Sequence, residues 1–449
     1  MKRAFVHGTI ITCDDAFSVH RDATLAVFDD RIVGVGTDVP ADFIADETVD
    51  CAGCILMPGL VNAHTHLGEH LLRGWMDEVA FEGLFYSTLF RWEGDLTREG
   101  VLAASRAGAI EAVRSGVTTV ADLYHHADAT AASVAEVGMR ALMGPKILGF
   151  SLERPPRMSG SHVDYRYDFE AFEAQLDTGE RFVETWNGCE GDRIRAALCP
   201  HATNTLTADM LTRVAHRALS LDVPVHIHLA QMASERETVL ERDGVGCVEL
   251  VDRCGLLDGR FLGAHGIFIA KDEMARLTRP TAAIVHNPIA NAKDAGLIAP
   301  VPALRDAGVA IALGTDAFRM DLFEAARFAA YVQRTVMEDG SAMPAREALR
   351  WATLGGARAL GWDDRIGSLE PGKQADVLVL DADRIETSAA GDPHPRILNY
   401  AFPGCIRRVY VAGSLICEDG RPLHVDARAA ADELRAAQRA AAKRRKEGR

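Results

Sequence analysis

Residues 223–230 read VPVHIHLA, a short apolar run that contains two histidines two residues apart and is followed at once by Gln231. Alanine-rich helical patterns such as EGVLAASRAGAIEAVRSG (99–116) separate it from similar runs. Strands that alternate with helices predict parallel βαβ units, and a series of this kind over roughly 300 residues predicts an α/β fold, a (β/α)₈ barrel of the TIM type. The other predicted strands are VTTVADL (117–123), RAALCPH (195–201), FLGAHG (261–266), AAIVHN (282–287) and VAIALGTD (309–316).

The two ends of the chain carry a different pattern, in which β-rich runs are separated by turn signals. AFVHGTII (4–11) and ATLAVF (23–28) lie near the start, and IGSLEPGKQADVLVLDAD (366–383) and RVYVAGSLICEDG (408–420) lie near the end. We therefore predict a small β-sandwich domain formed by both chain ends, with the barrel inserted between its halves. The predicted boundaries are 1–58 for its first part, 59–362 for the hydrolase barrel, and 363–449 for its second part and a terminal helix.

The composition is that of an ordinary globular protein. Of 449 residues, 48% are hydrophobic and 25% charged, and the formal charge of −15 argues against nucleic acid and anionic membranes as partners. No run approaches the roughly 20 apolar residues of a membrane span, and the start lacks the apolar segment of a signal peptide, so we expect a cytoplasmic protein. Nine cysteines without framework spacing fit a reducing compartment. Cys51 and Cys54 are interpreted as packing residues.

His64 and His66 in NAHTH lie two residues apart on a predicted strand, so their side chains share one face and can bind one ion together. The pair alone would be weak evidence. His228, His265 and Asp316 each fall at the end of another predicted strand, on the face where barrel enzymes carry their chemistry. Imidazoles with one carboxylate suit zinc, with iron, manganese or cobalt as alternatives.

Several motifs along the chain resemble those of one known family. They are LMPGLVNAHTHLGEHLLRG (56–74), HIHLA (226–230), GAHG (263–266), HNPIANAKDAGLIAPV (286–301), GVAIALGTDA (308–317) and GSLEPGKQADVLVLD (367–381). In order and spacing they resemble the amidohydrolase superfamily. Within it, the chain is most similar to the branch of metal-dependent deaminases and triazine chlorohydrolases, which includes adenosylhomocysteine and guanine deaminase-like enzymes.

The resemblance implies a set of roles for the residues that match these motifs. His265 would contact the metal-bound water or stand just behind it, and His201 in CPHAT would contact the substrate. A homodimer or larger homo-oligomer is also implied. His226, deeper on the strand of His228, is interpreted as a core histidine. One divalent ion per chain, zinc first and iron second, would be held by His64, His66, His228 and Asp316.

These roles predict a metal-dependent hydrolase of a small cyclic nitrogen compound. A bound divalent ion lowers the pKa of its water from about 15.7 toward 7, which supplies hydroxide at neutral pH. Metal-bound hydroxide would attack a ring or amidine carbon while Asp316 takes the proton and His265 bonds the water or the developing oxyanion. An aminohydrolase, that is a deaminase, is the function predicted first.

Gln231 departs from the pattern of such deaminases, which usually carry a glutamate there as proton shuttle, because an amide cannot exchange a proton in this range. Glu69 or Glu235 could replace it, although glutamates are commonly exposed. Alternatively the leaving group needs no protonation, or Asp316 returns its proton to the leaving nitrogen. A hydrolytic dehalogenase, an amide or ring-opening hydrolase, and a non-catalytic metal-containing ligand-binding protein therefore stay open.

The rim of the predicted site offers further substrate contacts. Gln231 and Glu69 are expected there, and Trp75 could stack on a planar ring. Phe318, two residues after Asp316, would make the rim bulkier and more apolar.

Overall fold

The structure is a computed structural model that describes residues 1–78, 82–159, 162–317 and 319–447. Its strands are β1 (Lys2–Ile11), β2 (Val19–Phe28), β3 (Arg31–Val35), β4 (Glu47–Asp50), β5 (Cys54–Pro58), β6 (Leu60–Thr65), β7 (Val117–Tyr124), β8 (Arg140–Ile147), β9 (Arg157–Ser159), β10 (His162–Asp164), β11 (Ile194–Ala196), β12 (Cys199–Pro200), β13 (Val225–Leu229), β14 (Phe261–His265), β15 (Ala282–His286), β16 (Ala310–Leu313), β17 (Val377–Asp381), β18 (Ile406–Val411), β19 (Ser414–Glu418) and β20 (Arg421–Pro422).

Helices lie between most of these strands. They are α1 (Glu82–Gly94), α2 (Arg98–Arg114), α3 (Ala127–Val137), α4 (Phe169–Trp186), α5 (Cys189–Asp192), α6 (Ala208–Leu221), α7 (Ala233–Asp243), α8 (Cys247–Arg253), α9 (Pro288–Ala290), α10 (Val301–Asp306), α11 (Leu322–Val336), α12 (Ala345–Trp351), α13 (Leu354–Leu360), α14 (Pro393–Tyr400) and α15 (Ala427–Lys446). Capping side chains start several of them: Thr97 accepts a hydrogen bond from Gly100 N at α2, and Asp321 accepts one from Glu324 N at α11.

Parallel strands form a closed barrel with eight positions, which we number from one to eight: β6, β7, β8, β11 with β12, β13, β14, β15 and β16. β11 and β12 both pair with β8 and together make one interrupted strand. Isolated parallel bridges close the ring. Leu198 pairs with Val225 and Ala202 with His228 on one side, and Thr65 pairs with Asp316 on the other. The predicted α/β barrel of parallel strands is confirmed.

The third barrel position was not predicted from the sequence. Its strand, β8, reads RALMGPKI, in which a glycine, a proline and two cations interrupt the apolar pattern, yet all eight residues are buried. The cations are tolerated because each meets a carboxylate: Arg140 Nη2 lies 3.1 Å from Asp376 Oδ1, and Lys146 Nζ lies 2.5 Å from Glu93 Oε1.

Apolar side chains, many of them small, fill the barrel interior. Among the fully or almost fully buried residues there are Val61, Ala63, Ala121, Ala283 and Ala312. A larger cluster of leucine, isoleucine, valine and phenylalanine side chains fills the space between the strands and the surrounding helices. All five residues of β13 are buried, because one face of the strand lines the barrel interior and the other packs against the surrounding helices.

Strands from both chain ends share a nine-stranded sheet, in the order β20-β19-β18-β17-β5-β1-β2-β3, with β4 paired to β1. The two ends meet where β5 pairs antiparallel with β17. Asp376, just before β17, accepts a hydrogen bond from Ala412 N at 2.8 Å. Because Asp376 also pairs with Arg140 in β8, it links this sheet to the barrel. A separate β-sandwich domain and the boundaries at 58 and 362 stay predictions.

The terminal helix α15 packs on α2 rather than standing in solvent. Asp426 caps its start by accepting from the backbone N–H groups of Arg428 and Ala429. Near its end, the Arg445 guanidinium lies 4.4 Å over the Trp92 ring and 3.3 Å from Asp95. Among the helices of the described residues, none has the length and apolar character that crossing a membrane requires.

Candidate active site and metal centre

Five predicted metal-site residues converge at the carboxyl end of the barrel. His64 lies in β6 and His66 directly after it, His228 lies in β13, His265 ends β14, and Asp316 follows β16. All five are buried, with at most 6% of each residue exposed. Ligand atoms of His64, His228 and His265 lie within 4.8 Å of one another, as do those of His64, His66 and Asp316.

The hydrogen bonds of His66 and His228 leave their Nε2 atoms, which point toward the centre of the site, without protons. His66 Nδ1 lies 2.7 Å from the Leu123 carbonyl oxygen, and His228 Nδ1 lies 2.6 Å from that of His201. Because a carbonyl oxygen only accepts, both Nδ1 atoms carry the proton of a neutral ring and donate it. The two Nε2 atoms then carry lone pairs and lie 3.1 Å from each other. Two lone pairs at this distance repel unless a cation lies beside both, so the pair fits a metal ion.

His265 shows the same polarity, and His64 shows it when His226 Nε2 is the acceptor. His64 Nδ1 lies 2.9 Å from His226 Nε2, and His265 Nδ1 lies 2.9 Å from Asn291 Oδ1. Their Nε2 atoms are buried, and no hydrogen-bond partner for them is found among the described residues. An unsatisfied buried polar atom costs about 1–3 kcal/mol, and metal-ligating histidines usually fix their outer nitrogen in this way. The imidazole and carboxylate set therefore fits a divalent cation of the zinc type.

Burial sets the protonation state that a metal ligand needs. It lowers the pKa of His64, His66 and His228 well below the usual range and that of His265 to about 4, so the rings are neutral at pH 7. Burial also raises the pKa of the Asp316 carboxyl to about 6, which the Ala317 N–H, 2.8 Å from Oδ1, opposes.

A rigid frame holds these ligands. Asn62 donates to Thr315 Oγ1 at 2.7 Å and accepts from Thr315 N at 3.0 Å, which ties β6 to the loop that carries Asp316. A Cβ on Gly314 would lie 2.2 Å from Asn287 Oδ1 and 2.9 Å from the His64 carbonyl oxygen, so only glycine fits there. His226, predicted to be a core histidine, is fully buried and braces His64.

A cavity that is partly open to solvent lies beside the ligands. Three of the predicted substrate contacts, His201, Gln231 and Glu69, line it. Lys146 and Asp294 also line it, although the sequence analysis did not single them out. The further lining residues are His66, Leu72, Arg73, Met76, Asp77, Leu89, His228, Lys293, Asp316 and Ala317.

Lys146 belongs to a buried charged cluster. Its Nζ pairs with Glu93 Oε1 and lies 4.8 Å from the Tyr124 ring centroid, and Glu93 Oε2 lies 3.0 Å from His125 Nε2. Burial alone would raise the pKa of Glu93, but Lys146 and His125 hold it well below its usual range. Burial lowers the pKa of the neighbouring His201, and the Lys146 charge lowers it further.

The candidate acids occupy different environments. Burial raises the pKa of Glu69 well above its usual range, and burial with the Asp316 charge raises that of Asp294 to about 6. Glu235 is fully buried, so the expectation of a surface glutamate is wrong there. Its carboxylate accepts from the backbone N–H groups of Ala230 at 3.1 Å and Gln231 at 2.7 Å. It therefore fixes the loop after β13 instead of lining the cavity.

Of the other two predicted rim residues, one lies away from the cavity and one falls outside the described part of the chain. Trp75 stacks on Trp92 at 4.6 Å between ring centroids and packs under α15, so it is a packing residue and does not line the cavity. Phe318 lies outside the described residues. Arg73 lines the cavity, and its Nη1 lies 2.6 Å from Glu111 Oε2.

Known proteins are similar to this chain in sequence and fold. A model of the amidohydrolase family matches residues 55–416. The 5-methylthioadenosine/S-adenosylhomocysteine deaminase of Moorella thermoacetica is 35% identical over 409 residues, 90% of this chain and 91% of the relative. The 5'-deoxyadenosine deaminase of Methanosarcina acetivorans is 31% identical over 95% of this chain and 96% of its own. An adenosine deaminase structure from Xanthomonas campestris with bound zinc superposes with a TM-score of 0.88, 29% identity and 98% coverage of both chains.

Proposed function

Because the chain belongs to the amidohydrolase family, we propose that it replaces the amino group on a carbon of a small nitrogen heterocycle with oxygen from water and releases ammonia. It is a hydrolase of C–N bonds other than peptide bonds, and this predicted class is confirmed. Its relatives are named as deaminases, which favours the metal-dependent aminohydrolase predicted first over the dehalogenase, ring-opening and binding-protein alternatives.

The convergence of unprotonated imidazole nitrogens on Asp316 carries this proposal. We assign one divalent ion per chain, zinc with iron as the alternative, to His64, His66, His228 and Asp316. When bound, such an ion would act as a Lewis acid and lower the pKa of a water molecule toward 7.

The remaining chemistry falls to side chains that line or border the cavity. Asp316 takes the first proton of the attacking water and delivers it to the leaving nitrogen, which departs as ammonia. His265 donates its Nδ1 proton to Asn291, so its Nε2 is an acceptor and orients the water by accepting one of its hydrogens.

Ring addition also needs a proton for the ring nitrogen next to the attacked carbon. Gln231 cannot supply it, and Glu235 is committed to the loop backbone. Glu69 lines the cavity, and burial raises the pKa of its carboxyl well above its usual range, which favours the protonated form. We assign this step to Glu69, which regains its proton from the second hydrogen of the water, so the reaction is balanced with one water consumed and one ammonia released.

The direct test is ammonia release by the zinc-loaded protein from 5-methylthioadenosine, 5'-deoxyadenosine and a panel of amino-substituted pyrimidines, purines and triazines. Chloride release from matched chloro compounds is followed in parallel. Asp316→Asn should lower the turnover rate by about 10²-fold to 10⁴-fold while the circular dichroism spectrum stays unchanged. Chloride without ammonia, or turnover that survives the substitution, contradicts the proposal.

Two further expectations concern setting and assembly. All nine cysteines are unpaired, and eight of them are buried, which supports a reducing compartment such as the cytoplasm. Burial raises the pKa of Cys51 to about 12, in line with a packing role. A homodimer or larger homo-oligomer stays a prediction, which sedimentation velocity of the purified protein would test.

A further inference from the structure

The polar side chains of the cavity are divided by barrel position. Lys146 lies near the end of β8 and Gln231 follows β13, so these two N–H donors stand at positions three and five. Glu69 follows β6, Asp294 follows β15, and Asp316 follows β16, so the carboxyl groups stand at positions one, seven and eight. Because the eight positions close into a ring, the donors and the carboxyl groups line different sectors of one cavity.

Cations on the carboxyl side do not blur this division. Arg73 Nη1 lies 2.6 Å from Glu111 Oε2, and Lys293 Nζ lies 3.5 Å from Asp294 Oδ1. Each of these charges is paired with a carboxylate, as Lys146 is with Glu93, but the Arg73 and Lys293 side chains are 33% and 32% exposed, so water can satisfy their remaining donors.

Lys146 has donors to spare. An ammonium carries three N–H groups. Glu93 accepts one of them at 2.5 Å, and the Tyr124 ring lies 4.8 Å away. Only 1% of the Lys146 side chain is exposed. A buried Lys–Glu pair rarely stabilises a protein more than apolar residues of the same volume would. A role toward a ligand in the cavity therefore explains this buried cation better than stability does.

We propose that the substrate is an amino-heterocycle that also carries a ring carbonyl, whose oxygen accepts hydrogen bonds from Lys146 and Gln231. This inference rests on the proposed function. The amino group of such a molecule, one ring nitrogen away from the carbonyl carbon, then lies toward Asp316 and Glu69. A carbonyl oxygen has two lone pairs and can accept from both donors. A glutamate at position 231 would repel that oxygen, whereas the amide can donate to it.

The test uses pairs of amines that differ by one oxygen: cytosine against 4-aminopyrimidine, and isoguanine against adenine. Ammonia release gives kcat/KM for each, and calorimetry gives the binding of xanthine and hypoxanthine, the products of the purine pair. We expect the oxygen-bearing member of each pair to be preferred by about 10²-fold, because its absence leaves buried donors unpaired.

Three variants locate the source of the preference. Gln231→Leu removes one donor. Lys146→Met combined with Glu93→Gln removes the other and leaves neither buried charge unpaired. Each should reduce the preference at least about tenfold. Lys443→Met is the control, because this α15 side chain is 76% exposed.

The outcomes separate this inference from the proposed function. Equal turnover of both members of each pair would overturn the inference and leave the aminohydrolase standing, as would a preference that survives in both site variants. If no compound releases ammonia, the proposed function fails. Tighter binding of xanthine than hypoxanthine, lost in the variants, would then still support the inference, and equal binding would overturn it as well.

Discussion

Asp122 should make the stability of the protein fall as the pH rises. It lies in β7, is 1% exposed, and accepts from Leu67 N at 2.7 Å and Thr65 Oγ1 at 3.0 Å. These two residues flank His66, so Asp122 braces the turn that carries a proposed metal ligand. Burial raises the pKa of Asp122 from 3.8 to about 7, because the hydrogen bonds and the Lys146 charge offset only part of the desolvation.

The sign and size of the effect follow from proton linkage. Between pH 4 and pH 7 the folded protein holds a proton on Asp122 that the unfolded chain has released, so raising the pH favours unfolding. At about 1.4 kcal/mol for each tenfold change in proton affinity, the shift from 3.8 to about 7 corresponds to about 4 kcal/mol in total. About 3 kcal/mol of this loss falls between pH 5 and pH 8.

Urea denaturation of the wild-type protein and Asp122→Asn at several values between pH 5 and pH 8 isolates this group, because the other titrations are common to both proteins. The variant keeps an uncharged side chain of the same shape. The difference in free energy of unfolding should move in favour of Asp122→Asn by about 3 kcal/mol across this range. A constant difference, or one that moves in favour of the wild-type protein, would show that the carboxylate is ionised and well paired, and the reasoning from burial would fail.

Three further predictions concern the metal centre and its frame. Asn291→Ala should weaken zinc binding about 10-fold to 100-fold in competition with a chelating dye, because His265 loses the partner of its Nδ1, whereas Asn399→Ala on α14 should leave it unchanged. Removing zinc should lower the free energy of unfolding by about 4 kcal/mol relative to protein at a thousandfold excess of zinc over its Kd, and equal melting curves would speak against a resident ion. Glu235→Ala should cost about 3 kcal/mol of stability in urea denaturation and lower kcat/KM without shifting the pH profile, because Glu235 holds the backbone beside Gln231 and takes no part in proton transfer.

The barrel and its metal ligands could be predicted from local signals. HxH spacing on a strand places both side chains on one face, and barrel order brings the ends of parallel strands to one rim. His64, His66, His228, His265 and Asp316 could therefore be placed together without knowledge of any contact. The missed strand β8 shows the limit of that reasoning, because Arg140 and Lys146 become acceptable core residues only through carboxylates far away in the chain.

Residues whose role depends on a long-range partner could not be assigned from the sequence. Trp75 and Gln231 both follow predicted strands, yet Trp75 stacks on Trp92 and Gln231 lines the cavity. Glu235 looked like a surface residue because glutamate usually is one, but three hydrogen bonds replace its hydration, from Thr203 and from the backbone of Ala230 and Gln231. Periodicity reports which face a residue takes and says nothing about what it meets there.

Backbone strain at the strand ends shows what the site geometry costs the fold. His265 and Asp316 adopt φ values of 79° and 60°, and Ala230, directly after β13, adopts 50°. A residue with a Cβ in this left-handed region is destabilised by about 1–2 kcal/mol. These three residues lie at the ends of three barrel strands, at the rim where the candidate metal site is; Asp316 is an assigned ligand and His265 is assigned to orient the water. A sequence selected for stability alone would place glycine or asparagine at such turns. The His265 and Asp316 side chains are therefore best explained by their roles in the metal site.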